Sequence, residues 1–228
     1  MSDKKVRLRA VVLLALFSFP FAWTDQSIRK TEKEKEKGDL SIYFLGEKVG
    51  YEEYVWEENE RGYSLSVKGR MTKPVAIEVE RLRIEMDKSF IPIRYVFKGS
   101  MGGIKQQVSS VFSDGEAVNT IKVSGQEQKN RVWVRRDAFL LPNPIFSPYM
   151  VIAKRFGCSL EEKKELSAYI IPQLETPFTL ESDEENPCLL LLQLNRTVVE
   201  LEIGEDGRLN TLWIPSQNLR VIHTSPSF

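Results

Sequence analysis

The stretch from Asp39 to Val67 reads DLSIYFLGEKVGYEEYVWEENERGYSLSV. Its apolar residues recur at every second position, which is the period of a strand with one buried face. One face of the first strand carries Leu40, Ile42 and Phe44. The segment Asn59-Glu60-Arg61-Gly62 is typical of a tight turn. The pattern therefore predicts antiparallel strands joined by short connections.

The same alternation continues through most of the chain. The phase changes between Val79 and Leu82, which predicts a β-bulge at Glu80-Arg81 that bends the strand. Short strands separated by turns rich in Gly, Asn and Asp are typical of an antiparallel meander. We therefore predict a mainly β fold, in which a curved antiparallel sheet forms an unclosed half-barrel.

One segment breaks the strand pattern. Leu141-Pro142-Asn143-Pro144 cannot continue a strand, because proline donates no ladder hydrogen bond. Ser147-Pro148 predicts an N-cap followed by proline at the first helical position. Apolar residues then recur at helical spacing as far as Phe156, and Gly157 ends the pattern. We predict one short apolar helix packed on the concave face of the sheet.

The N-terminal region has a different composition. Basic residues at positions 4–9 precede an apolar run at 10–22, the pattern of a secretory signal. The run is shorter than the roughly 20 residues that span a bilayer, but Pro20 makes a poor cleavage site. We expect a signal peptide or uncleaved anchor at 1–22, a charged flexible linker at 23–38 and one β-rich domain at 39–224.

These segments predict a periplasmic or secreted protein, or alternatively one anchored to the inner membrane by residues 10–22. The 32 Lys and Arg residues are balanced by 32 Asp and Glu residues. This balance argues against a nucleic-acid binder, which needs a basic face. We expect membrane contact only through the N-terminal segment, if it is uncleaved.

The sequence contains few residues that indicate catalysis. There is one histidine, His223, which we interpret as an ordinary surface or edge residue. Glu52 and Glu53 are neighbours on a strand and point to opposite faces, so they cannot converge on one substrate. The sequence predicts no enzyme, no cofactor and no metal site. The even cysteine count permits a disulfide between Cys158 and Cys188, with two separately buried thiols as the alternative.

The apolar helical segment is the candidate binding element. Large apolar side chains between a helix and a bent sheet are the lining that a lipid-like ligand requires. The alternative is that they are only the domain core. The ligand-lining candidates are Phe146, Tyr149, Met150, Ile152, Phe156 and Trp213.

The order of these features resembles a known group of proteins. An export signal, a spacer, a meander opening with Ile42-Tyr43-Phe44-Leu45-Gly46, a helix after Leu141-Pro142-Asn143 and a late Gly207-Arg208-Leu209 are similar to uncharacterised exported bacterial domains. These domains resemble the periplasmic lipoprotein carrier and receptor superfamily (LolA/LolB-like). The resemblance covers the chain from about Asp39 onward. It implies an unclosed barrel with a hydrophobic cavity and a role with lipids or lipoproteins.

We therefore expect a non-catalytic exported protein of the cell envelope, which binds a lipid, an acyl chain or another apolar ligand in a half-barrel cavity. The alternative is a structural or protein-interaction and assembly module with no ligand, whose partner is another envelope protein. Exposed strand edges would serve that second function by pairing with a partner strand.

Overall fold

The structure is a computed structural model that describes residues 35–224. The predicted signal segment and residues 23–34 of the predicted linker lie outside the described residues. The strands are β1 (Lys35–Phe44), β2 (Glu47–Asn59), β3 (Gly62–Met71), β4 (Ile77–Met86), β5 (Pro92–Met101), β6 (Ile104–Ser113), β7 (Glu116–Val123), β8 (Gln126–Trp133), β9 (Phe139–Leu140), β10 (Lys164–Ile170), β11 (Leu174–Ser182), β12 (Leu189–Leu194), β13 (Thr197–Ile203), β14 (Leu209–Ile214) and β15 (Leu219–Thr224).

All fifteen strands belong to one sheet. Its order is β8-β7-β6-β5-β4-β3-β2-β1-β15-β14-β13-β12-β11-β10-β9, so β1 pairs with β15 in the middle of the sheet. Neighbouring strands are antiparallel except β9 and β10, which are parallel. The edge strands β8 and β9 do not pair with each other, so the sheet is not closed. The predicted mainly β, unclosed antiparallel sheet is confirmed.

The predicted helix is present on the concave face of the sheet. It consists of a 3₁₀ turn, Ser147–Tyr149, followed by the α-helix α1 (Met150–Phe156), and the backbone N–H of Gly157 donates to the carbonyl of Ala153 where the helix ends. The predicted N-cap is wrong. Ser147 is the first residue of the 3₁₀ turn, and its hydroxyl donates to a strand residue, Glu52, instead of capping its own helix.

Two details of β1 and β4 bear on the sequence predictions. The bulge predicted at Glu80-Arg81 is present as a register shift between Val79 and Arg81. The predicted linker, by contrast, ends too late, because β1 begins at Lys35 and its first four residues pair with β2. Backbone pairing needs no apolar side chain, and Lys35 also forms an ion pair with Glu57 at 2.9 Å. Strand pairing therefore starts within the charged segment.

The sheet has two chemically different ends. We call the mouth the end that carries the connections at 45–46, 72–76, 102–103, 124–125, 141–146, 171–173, 195–196 and 215–218. The far end carries the connections at 60–61, 87–91, 114–115, 134–138, 157–163, 183–188 and 204–208. The helical segment follows the mouth connection at 141–146 and precedes the far-end connection at 157–163. Among the described residues, no helix is long and apolar enough to cross a membrane.

A disulfide ties the end of the helical segment to the sheet. The sulfur atoms of Cys158 and Cys188 are 2.03 Å apart, and the two residues are 30 positions apart in the chain. Cys158 follows the helix after one residue, Gly157, whereas Cys188 immediately precedes β12. The bond therefore fixes the far end of the helix against the strands that surround it.

We expect the double variant Cys158→Ser with Cys188→Ser to lower the free energy of unfolding by about 3 kcal/mol. Without the bond, the loop between the two residues is no longer closed in the unfolded chain, so the unfolded chain gains conformational entropy. Urea denaturation of the variant and the oxidised protein measures the difference. Reductant should lower the stability of the parent protein and leave the variant unchanged. Equal stability of parent and variant would contradict the prediction.

Candidate ligand-binding site

A cavity of about 430 Å³ opens at the mouth of the half-barrel. Strand ends from both halves of the sheet surround it, and the chain segment that leads into the helix also contributes to its wall. Its apolar lining residues are Met71, Pro74, Val75, Met101, Leu141, Pro144, Ile145, Phe146, Tyr149, Ile170, Leu194, Val199, Ile214 and Leu219. The volume falls in the range of about 300–1,000 Å³ that is typical of small-molecule sites.

The polar groups of this cavity are few and uncharged. The lining includes Asn143, Thr197 and Gln217, and the phenol of Tyr149. Burial raises the pKa of Tyr149 to about 12, so its hydroxyl keeps its proton at neutral pH. Among residues 35–224, the cavity wall contains no carboxylate, histidine, lysine or arginine. The cavity can therefore orient a polar group by hydrogen bonding, but it offers no side chain for acid–base chemistry near neutral pH.

The predicted ligand-lining residues lie in different parts of the structure. Phe146 and Tyr149 line the cavity. Met150 and Ile152 are fully buried core residues outside the cavity wall. Phe156 lies at the end of α1, where its ring packs against Phe139 with centroids 6.1 Å apart. The first turn of the helical segment therefore contributes to the site, and the later turns form the core.

Trp213 lies on the opposite face of the sheet from this cavity. The guanidinium of Arg220 lies over its indole ring at 5.3 Å from the centroid. Trp213 instead lines a separate cleft of about 490 Å³, together with Tyr43, Leu45, Asn218 and Ile222 among others. Its position follows from strand alternation, since its neighbours Leu212 and Ile214 are the buried ones. The prediction that Trp213 lines the cavity at the helix is wrong.

Sequence reasoning missed most of the cavity wall. Met71, Met101, Ile170, Leu194 and Leu219 stand at the mouth-side ends of five different strands. Each is one apolar residue at a strand end, which no local pattern distinguishes from ordinary core. Only the order of strands in the sheet brings these residues to one cavity.

A buried carboxylate holds the segment that forms the cavity wall. Glu52 on β2 is 3 % exposed, and the backbone N–H groups of Phe146 and Ser147 donate to its two oxygens at 2.9 and 2.7 Å. The Ser147 hydroxyl also donates to Oε2 at 2.5 Å. Glu52 thus satisfies backbone donors at the start of a helical segment, which otherwise have no partner there.

The strand facing Glu52 leaves room for this contact. Gly69 lies opposite Glu52 in the sheet, and a Cβ at Gly69 would lie 2.4 Å from the carbonyl oxygen of Tyr51 and 3.1 Å from Cγ of Glu52.

Burial raises the pKa of Glu52 above that of an exposed glutamate, although its hydrogen bonds with Ser147 and Phe146 oppose the shift. The carboxyl therefore gains a proton more readily in the folded protein than in the unfolded chain.

A second polar cluster fixes the other end of the helix. The Glu36 carboxylate on β1 accepts from the Lys154 ammonium at 2.7 Å and from the Arg208 guanidinium at 3.2 Å. The Tyr54 hydroxyl also donates to Glu36, at 3.1 Å. Burial raises the pKa of Glu36, but the hydrogen bonds from Lys154 and Tyr54 and the charges of Lys154 and Arg208 together outweigh it and hold this pKa below its ordinary value. The cluster joins α1 to β1, β2 and the connection before β14.

His223 belongs to the same cluster and is neither a surface residue nor an edge residue. It lies on β15, opposite Leu40 of β1, and its Nε2 is 2.9 Å from the Tyr54 hydroxyl oxygen. The single proton of Tyr54 goes to Glu36, so Nε2 of His223 carries the hydrogen and donates to Tyr54. Burial, followed by the charge of Arg208, lowers the pKa of His223. The described residues contain no group of three or more His, Cys, Asp or Glu placed to hold a metal ion.

Comparison with known proteins gives little further information. No family model matches the chain, and no curated protein is similar to it at a significant level. Among solved structures, the chain is similar to a DUF1089 family protein from Pseudomonas aeruginosa, with 12% sequence identity and a TM-score of 0.42. The match covers 92% of this chain and 97% of that chain.

We expect Glu52→Ala to lower the free energy of unfolding by about 3 kcal/mol, because it leaves two buried backbone N–H groups without acceptors, at about 1–3 kcal/mol each. Glu53→Ala is the matched control. Its exposed side chain lies on the other face of the same strand, so its effect should stay within about 0.5 kcal/mol. Urea denaturation measures both, and equal effects would contradict the role of Glu52.

The raised pKa of Glu52 also predicts a pH dependence. Because the folded protein holds this proton more tightly than the unfolded chain, Glu52 contributes stability that is lost as the pH rises through its folded pKa. Glu52→Gln lacks this contribution. The stability of the parent protein minus that of the variant should therefore decrease as the pH rises above about 4, the ordinary pKa of a glutamate. Urea denaturation at each pH measures the difference, and a constant or growing value would contradict the shift.

Proposed function

We propose that this protein is a non-catalytic carrier or receptor that binds an acyl chain or a similar apolar ligand in the cavity at the mouth. The observation that carries the proposal is the cavity of about 430 Å³ with an apolar wall. An apolar ligand gains about 25 cal/mol for each Å² of apolar surface that leaves water. The few uncharged polar groups at the wall are suited to fixing the orientation of a ligand.

The chemistry of the cavity favours binding over catalysis. General acid–base catalysis needs a group whose pKa lies near the working pH, and the ionisable group of this wall, Tyr149, titrates at about 12. The Glu52 carboxylate, which contacts the cavity-lining residue Phe146, already accepts three hydrogen bonds from the protein. The sequence resemblance to the LolA/LolB-like superfamily implies the same class of ligand and supports the proposal.

Export to the cell envelope belongs to the same proposal. The basic and apolar residues at the start of the sequence support it, and so does the disulfide between Cys158 and Cys188, since such bonds persist in oxidising compartments. Sequencing the N-terminus of the protein isolated from its own cells tests export. A first residue near position 23 is expected for a cleaved signal, and recovery from the cytosol alone would contradict export.

One observation favours a second function, that of a protein-interaction module. The edge strand β8 exposes nearly every side chain on both of its faces, and its free backbone edge is suited to pairing with a partner strand. The charged residues along it, including Lys129, oppose indiscriminate pairing. A stoichiometric protein partner and an empty cavity in envelope extracts would favour this function over ligand binding.

We expect Thr197→Trp to weaken the binding of cis-parinaric acid, a fluorescent acyl chain, by at least about tenfold. Thr197 stands at the first position of β13 and lines the cavity, so an indole there occupies the space of the ligand. Titration of the fluorescence with the parent protein and the variant measures the change.

Thr211→Trp is the matched control. Thr211 lies on β14 next to the buried Leu212, so it faces away from the cavity, and binding by this variant should equal that of the parent. Native mass spectrometry of the mildly extracted protein should also show a bound acyl species. No binding by the parent protein, or equal binding by Thr197→Trp, would overturn the proposed function.

A further inference from the structure

The connections at the mouth carry exposed apolar side chains. Five of the ten exposed large apolar residues among the described ones lie at these connections or at the strand residue next to them, and they are between 37% and 65% exposed. They are Leu45, Val75, Ile104, Val123 and Leu174. They come from five different connections of the mouth, so they do not form one stripe on a strand. Val75 lines the cavity itself, and Leu45 lines the separate cleft beside Trp213.

The two ends of the sheet also differ in the charges that their connections carry. The connections at the mouth contain two charged residues, both basic: Lys73 and Arg196. The connections at the far end contain six basic and eleven acidic residues. The acidic ones are Glu60, Asp87, Asp114, Asp137, Glu161, Glu162, Asp183, Glu184, Glu185, Glu205 and Asp206.

We propose that the mouth docks on an anionic lipid bilayer surface, with the apolar residues at the five connections entering the interfacial region. Exposed apolar groups around a cavity mark an interaction surface, and the absence of acidic residues from these connections permits approach to negatively charged headgroups. The acidic far end is repelled by the same surface, which orients the molecule with its cavity towards the lipid.

The charged residues that flank these connections are mixed in sign, and the acidic ones Glu47 and Glu175 have partners. Glu175 accepts from the backbone N–H of Arg135 at 2.9 Å. Lys105 follows Ile104 directly, and Lys122 precedes Val123, which places ammonium groups at headgroup level beside two of the apolar side chains. Lys73 forms an ion pair with Glu47 at 3.1 Å. Both groups are exposed, and an exposed pair of this kind is weak, so it gives way to a lipid phosphate at little cost.

This inference rests on the proposed function, because a ligand cavity that opens towards the bilayer exchanges an acyl chain without exposing it to water. It differs from the sequence-based expectation that only the N-terminal segment contacts membrane. The proposed occupant of the mouth is a lipid bilayer. A second copy of the chain and a protein partner are the alternative occupants that the experiments distinguish from it.

The location of docking is tested with tryptophan substitutions in the full chain. The four native tryptophans, Trp23, Trp56, Trp133 and Trp213, are first replaced by phenylalanine, so that each probe is the single indole of the chain. Val123→Trp, at the mouth but outside the cavity wall, should then shift its emission to the blue and be quenched by brominated lipids in vesicles of phosphatidylcholine and phosphatidylglycerol. Ile93→Trp at the far end should do neither. Equal signals at the two positions, or none at Val123→Trp, would overturn the proposal.

The contribution of one apolar side chain to vesicle docking is tested with a matched pair of substitutions to aspartate. Ile104→Asp and Ile93→Asp change residues of similar exposure, 54% and 45%, at opposite ends of the sheet. Ile104→Asp should raise by about tenfold the vesicle concentration that gives half of the maximal quenching of Val123→Trp by brominated lipids. Ile93→Asp should leave it unchanged. Higher salt should weaken docking of the parent protein as well.

Two further measurements separate the competing outcomes. Ile104→Asp should still bind cis-parinaric acid in solution, so loss of vesicle docking with retained ligand binding identifies the mouth as the docking surface. Ligand binding without vesicle docking would overturn this inference and leave the proposed function standing, and the reverse would overturn the proposed function alone. A blue shift of Val123→Trp that grows with protein concentration without vesicles would show that a second copy occupies the mouth.

Discussion

The hydrogen bonds between the Glu52 carboxylate and the backbone N–H groups of Phe146 and Ser147 hold the helical segment inside the sheet. A sheet of fifteen strands that curves without closing has a concave face, and another element must cover it. The chain can enter that apolar space only if its unpaired backbone donors find acceptors there. Glu52 supplies both acceptors from a strand 94 residues earlier than Phe146. The position of the helix, and with it the wall of the cavity, depends on this contact.

The length of the helical segment explains why a cavity remains at the mouth. Ten residues of helix extend about 15 Å, whereas a ten-residue strand extends about 33 Å. At its far end the segment is fixed by the ion pair of Lys154 with Glu36 and by the disulfide of Cys158. A short helix held in this way fills the far part of the concave face. The remaining space is closed on its sides by strand ends and open towards solvent.

The two ends of the sheet therefore have different physical roles. The far end carries the acidic connections, the disulfide and the Glu36 cluster, which together fix the helix. The mouth carries apolar and basic connections around a cavity whose wall includes Phe146 and Tyr149. Because the same first turn of the helical segment both contacts Glu52 and lines the cavity, the stability of this turn and the shape of the binding site are linked. An apolar ligand and a lipid surface both match the chemistry of this end.

The sequence by itself determined the strands, the bulge at Glu80-Arg81 and the position of the helix before Gly157, because these features depend on residues close together in the chain. It also singled out Phe146 and Tyr149, which line the cavity. Only the tertiary structure decided that β1 pairs with β15, that Met71, Met101 and Leu194 share one cavity, and that Ser147 contacts Glu52 instead of capping its helix. Periodicity shows which face of a strand is buried, but it does not show which strands become neighbours. That choice is made by contacts between residues far apart in sequence, whose energies no local pattern contains.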